Sequence, residues 1–297
     1  MKILSILCLI TAVFWSAVIK EAQANQLAGD VENFIASIKD EIKKHREAAE
    51  LIEYKIKLER PKYLSRKEKF LAGYIEDTDK KTVWNLSTHD LAIDQKPVDD
   101  SIVWKATVLS SDLHMDHIVK EDNKVWPPLP NVFPVDSELS IVMDKSGGFK
   151  SYGAKLKSDD ETDLNQKLVN NASSINNLYL LAGSEFVNSD VKLGGQIYPH
   201  PTDLAVELML EVEQRNLAGT LIGTVPCNQV RCLFVEFSQR VESEMEGISV
   251  ISQINGFVLL EESTFIQLRM GMIFNEYLTT ADGYQSMKGA LLQSVEE

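Results

Sequence analysis

The run Asp112-Leu113-His114-Met115-Asp116-His117 places two imidazoles and two carboxylates close together in the chain. Both groups bind divalent metal ions, and a metal so held lowers the pKa of its bound water and makes a hydrolytic nucleophile near neutral pH. His114, Asp116 and His117 are therefore the candidate metal ligands. The second chemically distinctive pair is Cys227 and Cys232, in Val-Pro-Cys-Asn-Gln-Val-Arg-Cys-Leu-Phe. Four residues separate the two thiols, where a thioredoxin-like redox motif has two, and no further metal ligands stand nearby.

The histidine run resembles the His-x-His-x-Asp-His metal motif of the metallo-β-lactamase superfamily, with Asp112 where that family has its first His. The resemblance covers these residues only, and it implies zinc binding and water activation just after a strand. The chain departs from the family pattern around them. No Gly-rich strand with an Asp-x-Gly-like stretch precedes the run, no Gly pair follows it directly, and His200 is the one His beyond His117. The residues themselves read as a polar turn closing the strand Ile102 to Leu109.

Other enzyme templates are missing. There is no Gly-x-Ser-x-Gly elbow, no phosphate-binding Gly-rich loop ending in Lys-Ser or Lys-Thr, and no His-Glu-x-x-His helix. Glu207, Glu211 and Glu213 form the acidic side of an alternating segment, which is the pattern of a solvated strand face. Lys145-Ser146-Gly147-Gly148 reads as a hairpin turn. His45 falls in a helical seam, His89 in a Ser-Thr-His-Asp turn and His200 between Pro199 and Pro201, none beside a recognisable nucleophile. No catalytic residue and no cofactor is expected.

Compartment and charge narrow the partners. Met1-Lys2 gives a basic start, Ile3 to Ile19 is almost uninterrupted apolar, and Ala22-Gln23-Ala24 is a small-x-small cleavage site. This predicts a signal peptide over 1–24 and a mature chain from Asn25; the rival is an uncleaved membrane anchor. The rest of the chain offers no stable membrane span. Export, to a periplasm or to the outside, meets oxidising conditions, so Cys227 and Cys232 are expected to form a disulfide across a turn. The formal charge of −14 becomes more negative once Lys2, Lys20 and Glu21 are removed. An acidic surface whose Lys and Arg are interleaved with Asp and Glu repels polyanions, which excludes nucleic acid as a partner.

The elements that would carry these residues follow from periodicity. Val31, Ile35, Ile38, Ile42, His45, Ala49, Ile52 and Ile56 step by four and three, the pattern of a long amphipathic helix over 25–61, with Asp30 to cap it and Pro61 to stop it. A period of two then predicts strands at 70–76, 82–87 and 102–109 in a β-rich part over 62–126. The Pro-rich segment 127–137 connects it to a second β-rich part over 138–297. That part holds strands at 139–143, 149–156, 204–212, 217–225, 233–237, 257–260 and 266–274, a tight turn at Asn255-Gly256, and a second helix near 163–182. The expected class is α+β, mostly antiparallel β, as a curved sheet with one apolar face covered by helices, a partner or a ligand.

The functional expectation is an exported, non-enzymatic protein that presents its sheet and helix to a hydrophobic ligand or a protein partner. The alternatives are a metal-dependent hydrolase built on Asp112–His117 and a self-assembling envelope protein that oligomerises through the 31–56 seam.

Overall fold

The computed structural model describes residues 2–51, 56–57, 63–120, 135–144, 149–155, 190–191, 196–197, 219–245, 248–264, 266–281 and 283–296, without the side chains of 2–24, 56–57, 139, 141, 149, 152, 154, 190–191, 196–197, 219, 239, 241, 243 and 245. In chain order the elements are α1 (Lys2–Ala48), β1 (Ile56–Lys57), β2 (Leu64–Thr78), β3 (Lys81–Val98), β4 (Ser101–Val119), β5 (Glu138–Asp144) and β6 (Phe149–Lys155). Then come β7 (Asp190–Val191), β8 (Gln196–Ile197), β9 (Gly219–Cys227), β10 (Val230–Met245), β11 (Ile248–Glu261), β12 (Gln267–Thr280) and β13 (Gly283–Val295). The expected helix at 163–182, the strand at 204–212 and all but the last residues of the 127–137 connection lie outside the described residues.

Among the described residues, one open antiparallel sheet takes eleven strands in the order β6-β5-β4-β3-β2-β13-β12-β11-β10-β9-β8, and β1 pairs separately with β7. Neighbouring strands are mostly joined by tight hairpins. At the β2–β3 turn the Thr78 hydroxyl accepts from the amides of Lys80 and Lys81. Asp99 and Asn228 take positive φ, at 50° and 49°, in the turns of β3–β4 and β9–β10. Short polar side chains tolerate that left-handed backbone.

The strands run well past the segments that periodicity marked. Asn255 and Gly256 lie inside β11 instead of turning the chain, because Gly256 sits directly opposite Phe237 of β10. A Cβ at Gly256 would collide with the Phe237 ring and with the carbonyl of Gly271. Glycine there makes room for an aromatic ring on the neighbouring strand.

The helix also departs from its expected bounds. It spans Lys2–Ala48 instead of 25–61, so Asp30 lies within it and Pro61 does not end it. Its end is set by the sheet: Glu50 exchanges two backbone hydrogen bonds with Thr224 of β9, at 2.8 and 2.9 Å. A Cβ at Gly223 would strike the Glu50 carbonyl, so a glycine lets the chain leave the helix and lie against β9. Among the described residues, no helix is long and apolar enough to cross a membrane.

α1 lies across the strands. Arg46 pairs with Glu236 of β10, Glu41 with Arg269 of β12 and Glu32 with Lys288 of β13, while Phe34 covers Gly73 of β2. Leu27, Val31, Ile35, Ile38 and Ile42 pack beneath it with Ile75, Phe234, Phe257, Ile273 and Ala290. The sheet is not apolar on one side only. On β10, Cys232, Leu233, Phe234 and Val235 are all buried, with Cys232 and Phe234 under the helix and Leu233 and Val235 in a separate cluster on the opposite, far face. A strand buried on both faces loses its polar alternation.

Candidate ligand-binding face

The metal-ligand run does not lie in a turn. It belongs to the second half of β4, which pairs with β3 as far as Val119. A one-residue irregularity at Leu109, between the pairs Asp90–Ser110 and Leu91–Val108, shifts the alternation of everything after it. Asp112, His114 and Asp116 consequently share one face of the strand, and His117 takes the other. His114 Nε2 is hydrogen-bonded to Asp112 Oδ2 at 3.1 Å, with both side chains largely in solvent. Asp116 is turned to its own neighbour, accepting from the His117 amide at 2.8 Å. No group of three metal-ligating side chains forms among the described residues.

Cys227 and Cys232 form a disulfide across the β9–β10 turn, with Cα atoms 5.9 Å apart. Cys232 is fully buried in the cluster beneath α1, so the bridge staples the hairpin just where the chain leaves the helix. His45 packs on the rings of Phe234 and Phe257, with centroids 5.8 and 5.1 Å away, and lies 3.3 Å from Glu41. Burial disfavours the Glu41 carboxylate, but hydrogen bonds from His45 and Arg269 outweigh that cost and lower its pKa to about 2. These groups dock the helix.

The far face carries the other large apolar surface. Phe70 of β2, Leu91 and Ile93 of β3, and Trp104 and Val108 of β4 belong to it from one side of the sheet. Leu233, Val235 and Phe237 of β10 join from the other, through Val258, Met270, Met272 and Leu291 on the strands between. No described α1 side chain takes part. The expected common face of Ile266, Leu268, Met270, Met272 and Phe274 is broken by a register shift where Arg269 pairs with Leu259 but Gln267 pairs with Leu260. Leu268 therefore turns to the α1 side, and Gln267 joins Met270 on the far face.

That shift brings a polar row into the apolar face. Glu68, Gln267 and Gln293 are all buried, on the neighbouring strands β2, β12 and β13. Arg66 and Gln293 donate to the two carboxylate oxygens of Glu68, and Gln267 Nε2 donates to Gln293 Oε1 at 2.5 Å. Arg66 also donates to the backbone carbonyl of Gln267 at 2.5 Å. Burial pushes the Glu68 carboxyl above its ordinary value, against the pull of Arg66 and Gln293. Buried carboxylates are costly without such partners, so this row is the chemically committed part of the face.

Sequence reasoning put Gln267 on the polar side of its strand and passed over Arg66, Glu68 and Gln293. The available signal was the alternation Arg66, Glu68, Phe70, Ala72, Tyr74, which puts two charges in line with a core aromatic.

His89 is likewise not in a turn. It lies within β3, buried, with its ring 6.2 Å from that of Phe70 and Nδ1 3.0 Å from the Ser111 hydroxyl. Burial lowers its pKa, with Asp90 opposing, which favours the neutral imidazole. A serine–histidine contact is the start of nucleophilic chemistry, but Ser111 sits mid-strand, where neighbouring amides are committed to the β3 ladder and do not form an oxyanion site. The Glu207–Glu213 row, His200 and Lys145–Gly148 fall outside the described residues.

No protein-family model matches the sequence, and no curated protein matches it. Among solved structures, the chain is similar to lipovitellin, in work on its lipid–protein interactions, at 10% identity and a TM-score of 0.40, over 80% of this chain and 25% of that one. The chain thus spans a quarter of the lipovitellin chain. It is also similar to a DUF1329 family protein from Desulfovibrio piger, at 8% identity and a TM-score of 0.13, over 76% of this chain and 84% of that one. At TM-scores this low, neither likeness bears on what the chain does.

Proposed function

We propose that this chain is an exported, non-enzymatic binding protein whose far sheet face takes a hydrophobic ligand. The observation that carries the reading is the second apolar cluster, reaching from Met143 of β5 to Leu221 of β9, to which no described α1 side chain contributes. One helix covers one side of the sheet, and the opposite side carries an equally apolar cluster whose residues are themselves buried, so a ligand there would be held inside that cluster and not on an exposed surface. Export agrees with the apolar leader and with the Cys227–Cys232 bridge, which persists in oxidising compartments. The metal-hydrolase alternative is disfavoured because His114 and His117 face opposite ways on β4.

The test is native mass spectrometry of the exported chain, before and after denaturation, followed by solvent extraction. The expected result is a native mass above that of the chain, falling to the chain mass on denaturation and yielding an extractable apolar molecule. A ligand-free chain that also takes up no added lipid overturns the reading.

A further inference from the structure

We infer that this protein pairs with a second copy of itself along the outer edge of β4, from Ser111 to Val119, about a twofold axis at Met115. The starting point is the edge. The chain leading into β5 meets β4 no further along than Val108, whose amide donates to the Ser137 carbonyl and whose carbonyl accepts from the Asp136 amide. Past the irregularity at Leu109, β4 continues to Val119 with β3 on one side and, among the described residues, no strand on the other.

Parity fixes which backbone groups face outward. The Lys120 amide donates to the Lys80 carbonyl at the head of β3, so even-numbered residues after the irregularity turn their backbone groups inward and odd-numbered ones turn them outward. The His117 amide is an outward one, and it is held at 2.8 Å by the carboxylate of its own neighbour Asp116 in place of a strand carbonyl. Such an open margin is a template for another strand.

The side chains select the register. Two identical antiparallel strands about a twofold axis place one residue opposite itself, and directly opposed side chains share a face. With Met115 opposite Met115 of the second copy, His114 stands opposite Asp116 of that copy, and Asp116 opposite its His114. His114 uses Nε2 on Asp112, at 3.1 Å, which leaves Nδ1 for the carboxylate across the axis. Asp116 gives up the His117 amide, and that amide passes to the carbonyl of Leu113 in the second copy. On the other face Leu113, Met115 and Val119 of the two copies become neighbours.

The adjacent registers are worse. Centring on His114 sets Asp112 against Asp116 twice, and centring on Asp116 sets that carboxylate against itself; like charges directly opposite are destabilising. Centring on Leu113 runs Val119 of the second copy beside Thr107, where β5 already pairs. The net charge of −14 on each copy is screened over about 8 Å in physiological salt, so the local pairs decide.

The experiment is sedimentation velocity on the exported chain from low-micromolar to near-millimolar concentration in physiological salt, with hydrogen exchange at both extremes. One added strand pair is a small interface, so a dissociation constant of about 10–100 µM is expected, with the outward amides of 111–119 exchanging more slowly in the dimer. His114→Asp and Asp116→His each set like groups opposite and should weaken the dimer about tenfold. The two changes together exchange the partners and should restore it to within about threefold of the wild type. His114 is largely in solvent, and a melting curve checks that each variant stays folded.

A monomer at every concentration overturns the inference. So does a dimer indifferent to both single variants, or one the double variant fails to restore, because the contact then lies elsewhere. Protection of the 111–119 amides that is the same at both extremes overturns it too, since the edge is then filled within one chain.

Discussion

Glu41 shows how one side chain ties an element to the sheet. Arg269 grips it with two hydrogen bonds, at 2.5 and 3.0 Å, while His45 approaches it from the next helical turn. Its pKa falls from 4.5 to about 2 on folding. A carboxyl lowered in the folded state contributes stability that is fully present above the unfolded value and is lost as pH falls through the folded one. The window is therefore pH 4.5 down to about 2. A shift of this size corresponds to at most about 3 kcal/mol. Urea unfolding of the wild type and of Glu41→Gln should differ by about 2–3 kcal/mol at pH 7, and the gap should close as the pH approaches 2. An undiminished gap at pH 2 would mean that Glu41 acts by packing alone.

Strands keep their register here through rings lying over glycines. Phe237 faces Gly256, Phe257 faces Gly271 and Phe274 faces Gly289, so every adjacent pair from β10 to β13 carries one such contact. A methyl group at Gly256 has no free space on its strand, and Gly256→Ala is expected to cost about 1–3 kcal/mol by overpacking. Combining it with Phe237→Leu should recover part of that loss in chemical denaturation; strict additivity would refute the contact as the cause.

The same elements mark what could be read from the chain. Alternation at Leu233, Val235 and Phe237 identified a true strand face, and the cysteine spacing identified the disulfide. What could not be read were the two register shifts. Extending Ile102–Val108 past Leu109 puts His114 and Asp116 on the wrong face, and counting back from Met270 misplaces Leu268, because the side-chain period of two has no tolerance for a single extra residue. β13 escaped notice because Gly283 to Val295 mixes Lys288, Gln285 and Gln293 with apolar residues, and its cover comes from neighbours far away in sequence. The polar row was hidden for the same reason, since Glu68, Gln267 and Gln293 meet only after three distant strands pair.

At the scale of the whole molecule, the strand order separates two groups that are each nearly sequential, β2 to β6 and β9 to β12. Among the described strands, β13 alone joins them, pairing with β12 on one side and β2 on the other. Phe70 and Leu291 on one side of that seam and Leu233 and Phe237 on the other then form one apolar cluster. Deleting Gly283 onward should accordingly leave two protease-separable fragments in limited digestion, where the intact chain resists as a unit; equal resistance would show that α1 is a sufficient bridge.

A chain synthesised from its amino end delivers β13 after every other strand described here. Until it arrives, β12 and β2 each expose an unpaired margin, and neither the apolar face nor the polar row is whole. The molecule thus has a built-in order of completion: its sheet is whole only once the last described strand has been made.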